Sequence, residues 1–302
     1  MKQPFDCIVI GAGIAGVTAS IYLKRAGLKI LLLEKKAIGG QIINTSEIEN
    51  YPTIENIDGT SFSLQLQNQI KKLEIPIEYK EVLDIQINGD LKIVKTKDNE
   101  YITKNIIIAT GRIPRKLNLD NEDKLLGRGI SYCATCDGYF YKNKKVAIVG
   151  GGNSALEAAI YLSKICNSVT VINRGEKLRA DEELQNEVKL LENVKILYNE
   201  EILSLGEKDG ILNYLTLKNN EISIDGLFVY IGLVPTLPFI KNIDLKLENG
   251  YIAVNQKMET NIPGIYACGD IIKKDVYQIV TAASDGCIAA LSLKKDINKS
   301  EK

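Results

Sequence analysis

The 302-residue sequence predicts a parallel-sheet α/β protein built twice from one strand–turn–helix unit. Three observations predict it. A glycine-rich turn occurs at two places in the same setting. Each turn lies between a short apolar strand and an amphipathic helical stretch, with a second apolar strand after it. The length suits about two domains of ordinary size.

Residues 5–34, "FDCIVIGAGIAGVTASIYLKRAGLKILLLE", open with a short apolar strand, followed by the turn "GAGIAG". An amphipathic helical stretch comes next, and a second apolar strand ends at Glu34. Residues 144–174, "KKVAIVGGGNSALEAAIYLSKICNSVTVINR", repeat that order. With Gly11 set on Gly150, "IYL" at 21–23 falls on "IYL" at 160–162 without a gap. Each copy reads as the start of a βαβ unit, so helices should cover both faces of a parallel sheet.

The glycines have physical tasks. Gly11 permits the tight turn, Gly13 lets a pyrophosphate approach the backbone, and Gly16 lets helix and strand pack closely. The helix N-terminus then offers unpaired N–H groups and a positive dipole end to the phosphates. Gly150, Gly152 and Ala155 form the second instance, and the pair predicts two dinucleotide sites. An acidic residue at the end of the second strand accepts a hydrogen bond from a ribose 2′-hydroxyl. Glu34 holds that place in the first copy, which suits FAD. Asn173 holds it in the second, with Arg174 beside it and Arg179 beyond, which favours the 2′-phosphate of NADPH. The plainer reading of the two arginines is a solvated loop.

Composition removes several functions. Thirty-eight basic residues balance thirty-eight acidic ones, so net charge draws the chain to neither nucleic acid nor an anionic membrane. Hydrophobic residues at 45% and charged residues at 25% are ordinary for a globular protein. The longest near-apolar run, residues 7–17, is glycine-rich and falls short of the about 20 residues of a spanning helix. It lies close to the first residue, with no small-residue cleavage pattern after it, and a cytoplasmic protein is the expectation. Histidine is absent, which excludes Cys–His and Ser–His catalysis and most zinc chemistry.

That leaves the six cysteines, too few for a disulfide scaffold. Cys133 and Cys136 stand as C-x-x-C in "SYCATCDGYF". Zinc would need four ligands, and neither a second such pair nor a histidine exists, so no metal is expected. Cys7, Cys166, Cys268 and Cys287 stand singly, as small buried hydrophobes do. The remaining readings of the pair are two packed residues or a dithiol switch, and the switch explains more. C-x-x-C pairs commonly hold one thiol as a thiolate near neutral pH. Asp137, next in the chain, is the nearest candidate for exchanging a proton with it, or else caps the turn at Gly138.

Two dinucleotide turns with "CATC" between them resemble the low-molecular-weight, bacterial-type thioredoxin reductase family over essentially the whole chain. The marks are "GAGIAG" (11–16), "GGQ" (39–41), "ATG" (109–111), "CATCDG" (133–138), "GGGNSA" (150–155), "GD" (269–270) and "YQIVTAASDGCIAA" (277–290). The resemblance implies two Rossmann-like three-layer domains, the second inserted into the first. A discontinuous FAD-binding domain would span 1–114 and 243–302. The NADPH-binding domain, carrying the cysteine pair, would span 115–242, with crossovers near 112–118 and 239–245.

By the same resemblance, the FAD site would comprise Gly11, Gly13, Ile14, Ala15, Gly16, Glu34, Gly40, Gln41, Asn50, Val82, Ala109, Thr110, Gly111, Gly269, Asp270, Tyr277, Gln278 and Ile279. Asp270 would reach the ribityl or pyrophosphate region and Gln278 the flavin ring. The NADPH site would comprise Gly150, Gly152, Asn153, Ser154, Ala155, Asn173, Arg174, Arg179 and Gly232. A homodimer is implied, as is a domain rotation that lets nicotinamide and disulfide take turns at the flavin.

Three features depart from the family pattern. Its basic signature, His-Arg-Arg-x-x-x-Arg, is here Asn173-Arg174-Gly175 followed by Arg179, which weakens the case for NADPH over NADH. An Arg-Gln pair near the flavin is here Tyr277-Gln278, with Tyr277 either stacked near the flavin or simply packed. Relatives that draw on ferredoxin have lost the second glycine motif, which this chain keeps. The expected activity is therefore a thioredoxin-disulfide reductase, passing electrons from NADPH through FAD and the Cys133–Cys136 disulfide to thioredoxin or a thioredoxin-like protein. Its rivals are a disulfide reductase using NADH or another donor, and a non-catalytic flavin-binding redox sensor. A peroxide-defence flavoprotein of this kind would carry an extra redox domain before Gly11.

Overall fold

Apolar strands come first because they set the sheet. In a computed structural model, residues 4–45, 47–235 and 237–300 are described. The chain divides into two compact units, Met1–Ile113 with Pro235–Lys302, and Pro114–Val234. The outermost residues of the expected first domain, 1–3 and 301–302, lie outside the described residues. The second junction falls at Pro235 rather than at 243. The reason is packing: Phe239, Ile243 and Leu245 are buried in the hydrophobic cluster of the first unit.

The first unit begins β1 (Phe5–Ile10), α1 (Ile14–Arg25), β2 (Ile30–Glu34), α2 (Gly59–Lys72) and β3 (Ile77–Tyr79). A meander of β4 (Asp84–Asn88), β5 (Leu91–Lys95) and β6 (Glu100–Ile108) follows. The sheet order is β3-β2-β1-β6-β5-β4, with a returning strand, Ile265–Ala267, also on β6. β6 is shared: its first half pairs antiparallel with β5, and its second half lies parallel to β1 and the returning strand. Ile8 stands opposite Leu31 on one side and Ile106 on the other, which is why these runs carry no polar alternation. The small residues of α1 let the C-terminal helix, Ile279–Ser300, approach closely; a Cβ on its Gly286 would strike the Ala15 carbonyl.

The second unit contains β7 (Ile130–Ser131), α3 (Ala134–Asp137), β8 (Lys145–Val149), α4 (Asn153–Ser163), β9 (Ser168–Asn173), α5 (Glu182–Lys189) and β10 (Val194–Tyr198). An antiparallel meander, β11 (Ile202–Lys208), β12 (Ile211–Leu217) and β13 (Glu221–Ser223), precedes β14 (Gly226–Val229). The parallel sheet runs β10-β9-β8-β14-β7, and the meander forms a separate sheet. One face packs against the apolar side of α4, through Ala155, Leu156, Ala159 and Leu162. The other face, through Ala147, Ile172 and Leu227, packs against the meander's Leu212 and Leu215. Among the described residues, no helix is long and apolar enough to cross a membrane.

Candidate active site

In the first unit, a strand-to-helix turn is built around backbone contacts that leave no room for side chains. Gly11 sits at φ +102°, and a Cβ there would stand 2.5 Å from the Ala109 carbonyl oxygen. Gly16 meets the Gly11 carbonyl in the same way, so both glycines are required by the fold itself. Gly13, by contrast, caps α1 at φ −69°, where any residue is at ease, and nothing lies within 4 Å of its would-be Cβ. The open space over Gly13 leaves the backbone there accessible, as a pyrophosphate cradle would require. Its rim is Gly40, packed on Gly13, with Ile14 and Ala15 opening α1 and Gly269 packed on Ala15. Glu34 Oε2 accepts from Ala12 N at 2.7 Å and Oε1 from Lys36 N at 2.8 Å, which fixes the carboxylate beside the turn. A cavity of about 80 Å³ opens between Gly11, Glu34, Val82, Thr110 and Phe239. A ribose hydroxyl brought to this cavity would find the Glu34 carboxylate in its lining.

The remaining first-unit residues gather in a second cluster. Gln41 Nε2 donates to the Arg112 carbonyl at 3.1 Å, and Asn50 Nδ2 donates to Gln278 Oε1 at 3.4 Å. Asp270 Oδ2 accepts from Arg112 Nη2 at 2.8 Å, while Lys274 Nζ bridges Asp270 and Asp285 at 3.4 and 2.8 Å. Tyr277 lies with its ring under the Arg112 guanidinium, 4.0 Å from the centroid, and beside Tyr251. Gly111, at φ +65°, turns the chain between Thr110 and Arg112, and Ile279 opens the C-terminal helix. Buried Thr110 Oγ1 and Arg112 Nε lack a hydrogen-bond partner among the described residues, while Asp270 Oδ1 has the Lys274 ammonium at 3.4 Å. Orphaned buried polar atoms of this kind call for a ligand or water.

The second unit repeats the turn. Gly150, at φ +146°, would drive a Cβ into the Tyr230 carbonyl, and Gly152 faces open space at φ −101°. Ala155 is buried against the turn; Asn153 and Ser154 open α4 on the exposed side. Arg174 and Arg179 are exposed, and neither meets a carboxylate among the described residues. Arg179 N donates to the Gly151 carbonyl at 2.6 Å, so its loop is laid against the glycine turn. Asn173 departs from the expected pose. It is buried, and its Nδ2 donates to the Gly175 and Lys177 carbonyls at 2.8 and 3.1 Å. Its amide shapes the loop instead of standing open to a ribose. Asn153 is likewise tied to Asp181. Gly232, at φ +101°, has its carbonyl engaged by Arg115 N at 2.9 Å.

Cys133 and Cys136 are joined in a disulfide with Cα atoms 5.3 Å apart. Cys133 is the N-cap of α3, so its Sγ accepts from Cys136 N at 3.2 Å and lies 3.3 Å from Thr135 Oγ1. Cys136 is the more exposed of the two. Asp137 Oδ2 accepts from Ser131 Oγ at 2.7 Å, and that oxygen accepts from Cys133 N at 3.0 Å. The serine hydroxyl thus ties acid to cysteine backbone. Tyr230 OH accepts from Ala134 N at 2.9 Å, and burial pushes this phenol above its ordinary pKa, so it stays protonated. Cys7, Cys166 and Cys268 are buried, as expected of packing residues, while Cys287 is half-exposed. Ser131, Tyr230, Arg112 and Lys274 are the residues that sequence reading missed. Ser131 lies two residues before the cysteine pair, and Arg112 directly follows the "ATG" at 109–111.

Two dinucleotide-type turns and a redox-spaced disulfide in one chain define a nucleotide-linked disulfide oxidoreductase. Residues 5–286 match the pyridine nucleotide-disulphide oxidoreductase family. The chain belongs to that family and, within it, to the bacterial-type thioredoxin reductases. Thioredoxin reductase of Bacillus subtilis (strain 168) is 39% identical over 299 residues, covering 97% of this chain and 95% of the relative. Among solved structures, that of Lactococcus lactis thioredoxin reductase in its FR conformation matches with a TM-score of 0.92 and 40% identity, over 98% of this chain and 99% of that one. T. acidophilum thioredoxin reductase matches with a TM-score of 0.90 and 33% identity, over 98% and 100%.

Proposed function

We propose that this oxidoreductase is a cytoplasmic, homodimeric, NADPH-dependent thioredoxin-disulfide reductase, with FAD held by the first unit and NADPH by the second. The observation that carries it is the Cys133–Cys136 disulfide, set beside an acid in a unit that also bears a dinucleotide turn. When bound, a flavin supplies the means of taking a hydride from a reduced nicotinamide and passing two electrons to a disulfide.

The chain's own residues do the rest. Gly11, Gly13, Gly40, Glu34 and Thr110 hold the flavin nucleotide; Gly150, Gly152, Arg174 and Arg179 hold the nicotinamide nucleotide. Two electrons and two protons convert the Cys133–Cys136 disulfide to the dithiol. As a thiolate, Cys133 keeps the donors its sulfur already has, Cys136 N and Thr135 Oγ1, so it is the better nucleophile. It attacks one sulfur of the partner's disulfide, forming a mixed disulfide and releasing the partner's other sulfur as a thiolate. Asp137, held by Ser131, takes the proton that Cys133 gives up and returns it to that sulfur. Cys136 then attacks Cys133 Sγ, restoring the internal disulfide and freeing the partner's second thiol. Exposed Tyr139 and Phe140, just after the pair, offer apolar surface to a small protein.

The test is a trap. Cys136→Ser should accumulate a mixed disulfide with thioredoxin through Cys133, and the double serine variant should not turn over. A stable adduct through Cys136 alone reverses the order of the two thiols. A wild-type protein that takes up no flavin removes the proposal. The buried Asn173 and the shortened basic signature favour weighing NADH as donor, which assays with both nicotinamides decide; the arginines should lower KM for NADPH only.

A further inference from the structure

Two buried side-chain atoms that lack a hydrogen-bond partner among the described residues lie two positions apart in the chain. They are Thr110 Oγ1 and Arg112 Nε. Arg112 and Asp270 are joined directly, and Thr110 is two residues from Arg112 on the segment that leaves β6 beside the Gly11 turn. Thr110 and Asp270 belong to the expected flavin-nucleotide set, whereas Arg112 read from the sequence only as a crossover residue.

Arg112 is held on three sides. Asp270 fixes Nη2 at 2.8 Å, Tyr277 stacks 4.0 Å from the guanidinium carbon, and Gln41 Nε2 fixes the backbone carbonyl at 3.1 Å. Its side chain is only 16% exposed. A planar fork so clamped has one orientation, and in it the Nε–H is buried with no acceptor. Proteins rarely bury a charged donor unanswered, so an acceptor from outside the chain is called for.

We propose that Arg112 is a flavin-nucleotide-binding residue, donating its Nε–H to an acceptor on that nucleotide, and that Tyr277 is a positioning residue acting through it. The inference rests on the reading of the first unit as the FAD site. It gives Tyr277 the role that the sequence left open: the ring is a platform for the arginine.

Apo-protein titrated with FAD, followed by flavin fluorescence and the visible absorption band, tests this. Arg112→Ala should weaken FAD binding about tenfold to a hundredfold, the range for losing a hydrogen bond from a charged donor, and should shift the band. Arg112→Lys keeps a cation for Asp270 but has no Nε–H, so it should fold like the wild type and still bind FAD at least tenfold more weakly. Tyr277→Leu should weaken FAD binding less, and should add nothing in the Arg112→Ala background. Arg112→Lys with wild-type affinity and an unshifted band overturns the inference while leaving the FAD site intact. A wild-type protein that binds no FAD overturns both together.

Discussion

Replacing Asn173 with Asp separates this structure from the general rule for dinucleotide folds. The rule places a carboxylate at the end of the second strand to accept from a ribose hydroxyl, so Asn173→Asp should create an NADH enzyme. The geometry says otherwise. Asn173 is 7% exposed, and its Nδ2 is a donor to two carbonyls, Gly175 O at 2.8 Å and Lys177 O at 3.1 Å. A carboxylate has no proton for either, and would press a charged oxygen against both. Two lost neutral hydrogen bonds cost about 1–3 kcal/mol, and confining an unpaired charge raises the sum to about 2–4 kcal/mol. The carbonyls belong to a loop that water reaches, which keeps the figure from going higher.

For a unit the size of Pro114–Val234, that corresponds to a drop in Tm on the order of 10 °C. The introduced carboxyl, buried and without donors, has its folded-state pKa raised above the unfolded value of about 3.9. The deficit relative to wild type is therefore smallest below about pH 4 and grows as pH rises through the folded pKa. Asn173→Ala, with no charge, should lose about 1–3 kcal/mol without that pH dependence. Urea unfolding of the three proteins between pH 4 and 8, with KM for NADPH and NADH, provides the assay. An Asn173→Asp protein within about 0.5 kcal/mol of wild type at pH 7, and now preferring NADH, would refute this reasoning.

Three further outcomes follow from the same contacts. Gly13→Ala and Gly152→Ala should fold normally, since both sites have extended φ and empty space, yet each should weaken one nucleotide, FAD for Gly13 and NADPH for Gly152; Gly16→Ala should instead lose stability, because its Cβ meets the Gly11 carbonyl. Tyr230→Phe strands the Ala134 N–H and should cost about 1–3 kcal/mol in the second unit, read by denaturation, with slower thioredoxin reduction. Alkylation of the reduced protein at pH 8 should mark Cys133 and Cys136 and spare Cys7 and Cys268, whose thiols burial pushes far up; Cys166, pushed up to about 11, should react only as pH approaches that value. Mass spectrometry of the labelled peptides checks it.

What the sequence revealed was local, and what it hid was not. The turns at Gly11 and Gly150 and the pair at Cys133 and Cys136 each fit within a few residues, so spacing alone exposed them. Ser131 lay two residues from that pair, but a serine at such a place carries no distinguishing signal until its hydroxyl is seen on Asp137. Tyr230 reaches Ala134 across 96 positions, and Arg112 reaches Asp270 across 158. No periodicity links such partners; the sheet order does, by bringing the ends of separate strands together. The second junction was misjudged for a related reason. Phe239 and Leu245 bound a charge-bearing stretch that reads as a crossover, yet they are core residues of the first unit.

The two copies also show how one fold position is turned to opposite use. Gly150 answers to Gly11, so Gly151 answers to Ala12, and Asn173 to Glu34. In the first copy, the strand-end side chain is a pure acceptor and takes the Ala12 N–H at 2.7 Å, drawing the carboxylate toward the glycine turn. In the second, the strand-end amide leans its Oδ1 so closely on Gly151 that no Cβ would fit there, and spends its donor on the loop beyond. That loop runs back to the turn through Arg179 N on the Gly151 carbonyl. A carboxylate cannot hold such a loop, and an amide cannot offer the charge that Glu34 keeps beside the cavity. Exchanging acceptor for donor at one position thus moves the polar determinant from the strand end onto the arginine-bearing loop. On the proposed reading, Arg174 and Arg179 rather than the strand-end residue would meet the second nucleotide.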